Sequence, residues 1–334
     1  MRANQIKEFL KKGLKEEGFP CVFIWGAPGV GKSSIVKQVC DEEGIGFVKF
    51  DLLISDPVDL RGVPRVDETG RTKWNPPYSL PDEKRDGSRG IFFLDDFVAS
   101  DIVVQKAGFQ LLLEKRLGDY VLPPGWMIVG AGNRIQDRAG VSRMLTPIAN
   151  RLVHLNFDID LDDWKQWAFQ NGIDSRIISF LNFRPSLLLD FDPKKDTLAF
   201  PSPRSWEFVS RVLKITDDIE LIEGCIGKGA ASEFLGFVRC YKDLPDVDRI
   251  LENPSYPKTL PKEVSTIYAM IGSIVEKLKK EKDNQKIENA VKFSIRLQKE
   301  FAVLLIKDLI KVGVDVFNVQ AFDTFVKEHG EVIL

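Results

Sequence analysis

The sequence predicts an α/β protein, a parallel five-stranded sheet covered by helices and followed by a largely helical region. Three observations carry this. Short apolar runs at 21–25, 47–50, 91–95, 127–131 and 153–157 alternate with helix-compatible segments at 33–42, 100–115 and 142–150, the pattern of parallel strands joined by crossover helices. A glycine-rich turn joins the first strand to the first helix. Beyond Phe157 the strand signal fades and helical periodicity takes over.

Each element has a local reason. Cys21 to Trp25 is an uninterrupted apolar run suited to a buried strand, and Ile35, Val36 and Val39 then fall on one side of a helix. Residues 55–90 are rich in Pro, Gly, Asp and Arg and read as an insertion or exposed loop region. The helix over 100–115 places Val103, Val104, Ala107 and Leu111 at helical spacing, and 116–122 alternates about Gly118-Asp119 as a small hairpin. Asp160 to Asn171 opens on acids and carries Trp164, Trp167 and Ala168 on an inner face. Further helices are expected at 204–214, 219–228, 230–241, Val264 to Lys280 and Asp283 to Val312, with the Lys279-Lys280-Glu281-Lys282 run solvated. The expected division is 1–157, an α/β core; 158–241, a helical lid; and 242–334, a C-terminal helical region.

Composition excludes several classes. The 334 residues carry a formal net charge of -2, with 44% apolar and 29% charged residues, so neither a disordered chain nor an overall basic nucleic-acid binder is indicated. Cys21, Cys40, Cys225 and Cys240 have no paired spacing, and with only His154 and His329 beside them they make no zinc set; they read as reduced core thiols of a cytoplasmic protein. No run is long enough to span a bilayer, and the first residues lack the apolar stretch of a signal peptide.

The chemistry concentrates in three runs. Gly26-Ala27-Pro28-Gly29-Val30-Gly31-Lys32-Ser33 is a full phosphate-binding loop, with Ser34 following it. Its glycines let successive N–H groups turn inward toward an anion, Lys32 reaches the β- and γ-phosphates, and the Ser33 hydroxyl is placed for Mg²⁺. These features predict ATP and Mg²⁺ as ligands. Ile91-Phe92-Phe93-Leu94-Asp95-Asp96 delivers two acids from a buried strand, Asp95 to orient the metal and its waters and Asp96 to polarise the attacking water. Asn133, at the carboxyl edge of the 127–131 strand, is placed to hold that water.

The order of these runs resembles AAA+ ATPases of the MoxR branch over roughly residues 20–215. It is carried by Gly26 to Ser33, Ser55-Asp56-Pro57-Val58-Asp59-Leu60-Arg61-Gly62, Trp74-Asn75-Pro76-Pro77, Phe93 to Phe97, Gly132-Asn133-Arg134, Asn150-Arg151 and Ser202-Pro203-Arg204-Ser205. The resemblance implies a ring, usually a hexamer, with ATP between neighbours under a helical lid. It implies Asn133 as the sensor-1 residue, Arg151 as the finger reaching the next subunit, and Arg204 as the sensor-2 residue; Arg138 and Arg143 lie close enough to replace Arg151. It also implies a protein client, one with a von Willebrand factor A domain, while 55–90 and 116–122 match loops that line the ring face or pore. Trp74 and Tyr78 could grip a client, although packing within the insertion is the plainer use. One departure stands out: the family usually ends its acidic strand in Asp-Glu, where this chain has Asp95-Asp96. The alternatives are a nucleic-acid translocase or restriction-type motor subunit, and an ATP-gated scaffold with little turnover.

Overall fold

The computed structural model describes residues 1–137, 144–195 and 197–329. The chain forms two compact units. One is Met1–Asp160 with a short return segment beginning at Phe191; the other is Leu161–Asp190 with the chain from Thr197 onward.

The first unit is built on strands β1 (Val22–Trp25), β2 (Gly46–Asp51), β3 (Arg89–Asp95), β4 (Gly125–Gly132) and β5 (Val153–Asn156). All five are parallel, in the order β2-β3-β4-β1-β5. Helix α1 (Ala3–Gly13) precedes β1, α2 (Lys32–Glu43) follows the glycine-rich turn, α3 (Ile102–Glu114) lies between β3 and β4, and α4 (Thr146–Ala149) leads into β5. This is the parallel five-stranded α/β core that the sequence predicts, with a helical region after it. The central strands are apolar on both faces, as parallel strands between helices must be: Phe23, Phe92, Phe93, Leu94, Ile128 and Val129 are all fully buried. Phe23 lies flat across β4 because Gly130 and Gly132 leave it room; a Cβ at Gly130 would stand 2.7 Å from its ring.

Several expectations change. Residues 55–90 are not an open loop: helices Pro57–Arg61 and Glu83–Asp86 flank a hairpin of Val63–Val66 and Thr72–Asn75, and β3 already begins at Arg89. Trp74 sets its ring against Gly118 of the Arg116–Val121 hairpin rather than within the insertion, and its backbone N–H donates to Asp119 Oδ2 of that hairpin at 2.8 Å. Tyr78, by contrast, is 83% exposed, with the Arg85 guanidinium 4.1 Å from its ring centre. The helix expected over 142–150 shrinks to the single turn of α4, with Leu145 and Asn150 already outside it as caps and Pro147 in its first turn; Arg138 and Arg143 lie outside the described residues. Only Cys21 and Cys40 are core thiols, both raised by burial, to about 11 and about 12; Cys225 and Cys240 are half-buried because their helices turn them partly outward.

The second unit, helical throughout its described elements, includes the α-helices Leu161–Gln170, Ser175–Phe183, Pro203–Val212, Ile219–Ile226, Lys228–Arg239, Val247–Glu252, Val264–Lys280, Asn284–Ile295, Lys299–Lys311 and Gln320–His329. Phe180, Trp206, Phe234 and Phe237 form its aromatic centre, and Trp206 Nε1 donates to Leu187 O at 2.7 Å. The single helix expected over Asp283 to Val312 is broken at Arg296-Leu297-Gln298. There the Arg296 guanidinium turns away to donate to the carbonyls of Pro254, Tyr256 and Pro257, which holds the corner.

The unit also buries an ion pair. Lys165 Nζ lies 2.5 Å from Asp308 Oδ1, both side chains nearly sealed, and Asn182 bridges them by accepting from Lys165 and donating to Asp308 Oδ2. Burial pulls the Lys165 ammonium below its ordinary value against the pull of Asp308. Asp308→Ala therefore strands a charge in the interior and lowers the unfolding free energy by about 3–5 kcal/mol, read by urea denaturation, whereas an apolar pair at both positions restores most of the loss.

Candidate nucleotide site

The site assembles at the carboxyl ends of the strands, where open α/β sheets bind ligands. β1 ends at Trp25, and Gly26 to Gly31 turn into α2 with Gly29 and Gly31 at φ of 76° and 100°, conformations that side-chain-bearing residues rarely take. Gly31 is the N-cap of α2 and has no side chain to cap it, so the first N–H groups of the helix are left for an anion. Lys32, 8% exposed, folds back over the loop: its Nζ donates to Gly26 O at 2.9 Å, Ala27 O at 3.0 Å and Asn133 Oδ1 at 2.8 Å. Ser33 and Ser34 follow in the first turn.

Asn133 stands just beyond β4, between the loop of β1 and the acids of β3, so strand order alone sets it against Lys32. Asp95 is the last residue of β3 and Asp96 the first beyond it. Asp96 sits in the left-handed region at φ 50°, ψ 33°, which an aspartate tolerates better than most residues, and its N–H donates to Asp95 Oδ1 at 3.1 Å. Burial, then the adjoining Asp95 carboxylate, push the Asp96 carboxyl above the usual aspartate range; Lys32 pulls the other way. The loop lysine and the second acid thus share one field.

Two contributors come from β2 and escape sequence reasoning. The register sets Asp51 beside Asp95, and Lys49 Nζ lies 2.8 Å from Asp95 Oδ2. Their only signal is alternation of polar residues at the end of an otherwise apolar strand, and that cannot name the neighbouring strand. The donor set fits a divalent cation: the Ser33 hydroxyl and Asp95 carboxylate are hard oxygens, and Asp95 already attracts a cationic group.

Arg151 and Arg134 have other partners within the first unit. Arg151, in the turn between α4 and β5, is exposed, donates to Pro147 O at 2.9 Å and lies 5.6 Å from the centre of the Phe109 ring. Arg134 is tied to the end of β5, donating to Phe157 O at 2.8 Å and pairing with Asp158 at 3.0 Å. Arg204 is exposed in the first turn of Pro203–Val212, in the other unit, behind a Ser202 N-cap that accepts from the Ser205 N–H. Among the described residues no helix is long and apolar enough to cross a membrane.

No protein-family model matches the chain, and no curated protein is similar to it in sequence. Among solved structures it is similar to NtrX from Brucella abortus, with a TM-score of 0.41 and 13% identity over 93% of this chain and 68% of that one. An ADP complex of the same protein gives a TM-score of 0.41 and 15% identity over the same shares. A point mutant of RuvB from Thermotoga maritima gives 0.38 and 13% identity over 81% of each chain. Likenesses of this degree speak to no shared activity, and the chemistry rests on the side chains just described.

Proposed function

We propose that the chain is an Mg²⁺-dependent ATP hydrolase of the AAA+ class that assembles as a ring, in the manner of the MoxR branch, and uses turnover to remodel a protein partner. The observation that carries this reading is the convergence of Lys32 and Asn133 within hydrogen-bond distance, beside Asp96, at the mouth of an uncapped helix. The uncapped N–H groups and Lys32 bind and orient the phosphates, Asn133 and Asp96 hold and polarise water, and Arg151 serves the neighbouring subunit's γ-phosphate. When bound, Mg²⁺ neutralises charge on the β- and γ-oxygens, and Ser33 and Asp95 are the residues that would hold it. Arg204 takes the role of the sensor-2 arginine from the sequence resemblance alone. A hexamer and a client with a von Willebrand factor A domain follow from the sequence resemblance alone.

A second reading has one observation in its favour. Asp96 is shorter than the glutamate usual at this position and its environment opposes ionisation, which suits an ATP-gated scaffold with little turnover.

The experiment for the first reading is subunit mixing. Arg151→Ala protein alone keeps only a small residual turnover and Lys32→Ala protein none, and mixing them raises turnover because some interfaces then pair an intact loop with an intact arginine. Mixed rings, demonstrated by tagged subunits, that recover no hydrolysis overturn the assignment of Arg151 across a subunit boundary.

A further inference from the structure

His154, on the edge strand β5, has both ring nitrogens committed. Trp25 Nε1, which can only donate, gives its hydrogen to His154 Nδ1 at 2.9 Å. His154 Nε2 lies 2.8 Å from Ala149 O, so a neutral ring with its proton on Nε2 satisfies both partners at once. Imidazole and indole also stack, their centres 5.9 Å apart and their planes 27° from parallel. The ring is held in place by the parallel pairing of β5 with β1, which sets His154 beside Phe23 and Asn156 beside Trp25.

The two partners matter for where they lie. Trp25 immediately precedes Gly26, the first residue of the phosphate loop, and Ala149 is the last residue of α4, two positions before Arg151. That turn has further ties: Ala149 O also accepts from Leu152 N at 3.3 Å, and Arg151 N–H donates to Ile148 O at 3.0 Å. One rigid imidazole therefore spans from the strand that carries the loop to the turn that carries the arginine.

We propose that His154 is a positioning residue for Arg151: it fixes the α4–β5 turn to the strand entering the phosphate loop, so that the state of one subunit's loop sets the arginine offered to the next. This rests on the reading of Arg151 as acting across a subunit boundary. In this proposal His154 sets the geometry through its hydrogen bond to Ala149 O.

The test separates positioning from packing. His154→Phe keeps an aromatic ring but loses both hydrogen bonds, and His154→Gln retains one acceptor and one donor. In the Phe variant ATP affinity stays within about twofold of the parent, while kcat in assembled rings falls about tenfold, equivalent to about 1.4 kcal/mol at the transition state. The Gln variant recovers most of this, and Trp25→Phe, which removes the donor from the other side, shows the same loss confined to kcat. Combining His154→Phe with Arg151→Ala gives turnover no lower than Arg151→Ala alone, because both act through the same group. Parental kcat in both His154→Phe and Trp25→Phe, or losses that multiply in the double variant, overturn the proposal while leaving Arg151 intact. Parental turnover of Arg151→Ala itself overturns the arginine reading, a separate result.

Discussion

Lys32→Ala protein is expected to bind ATP at least about tenfold more weakly than the parent and to hydrolyse none of it. A charge-assisted hydrogen bond contributes on the order of 1.5–3 kcal/mol, and a tenfold change in affinity corresponds to about 1.4 kcal/mol, so the loss of one ammonium on the phosphates suffices. The same ammonium also bridges Gly26 O, Ala27 O and Asn133 Oδ1. Its removal thus takes away the tie between loop and Asn133 as well as the phosphate contact, and turnover suffers more than binding. Titration with a fluorescent ATP analogue and a phosphate-release assay check the two halves. Wild-type affinity and hydrolysis in the variant would falsify the site.

Asp96→Asn is the second large effect: ATP binding is retained and steady-state hydrolysis disappears. The substitution is clean because asparagine, like aspartate, tolerates the left-handed conformation found here at φ 50°, so shape persists while the charge that polarises water is lost. Asp96→Glu restores the acid with a longer reach and keeps activity. A misplacement of about 1 Å can cost on the order of 10²-fold in rate, so the added methylene raises turnover if reach is what limits the parent. Single-turnover hydrolysis of the three proteins decides the matter. An Asn variant as fast as the parent removes Asp96 from the chemistry, and a parent without turnover puts the scaffold reading first.

Much of the fold was legible because parallel strands buried on both faces leave unbroken apolar runs, as at Val22 to Trp25 and Ile91 to Leu94, and because phosphate chemistry needs glycines at fixed spacing. What one strand cannot reveal is its neighbour. Lys49 and Asp51 became part of the site only through their pairing with β3, and His154 acquired partners only when β5 was laid against β1. Helix α1 escaped because Ile6 and Leu10 are its only large buried side chains among many charges. In the helical unit, a lysine at position 165 gives no hint that its ammonium meets Asp308 inside the core, nor does periodicity mark the corner that Arg296 holds after Ile295.

The place of β1 in the sheet has a consequence for how the molecule comes together. Although it is the first strand in the chain, it pairs on one side with β4, Val22 against Val129, and on the other with β5, Val22 against Val153. Both partners are distant in sequence, so the entropy of closing long loops must be met before either contact rewards it. The bed of the phosphate loop is therefore incomplete until the last strand has docked. Nucleotide that binds only the finished bed draws the equilibrium toward it, by about 2.7 kcal/mol at a free concentration one hundred times the Kd. A ligand that the folded molecule would consume thus also acts, before any turnover, as the brace under which its central strand is secured.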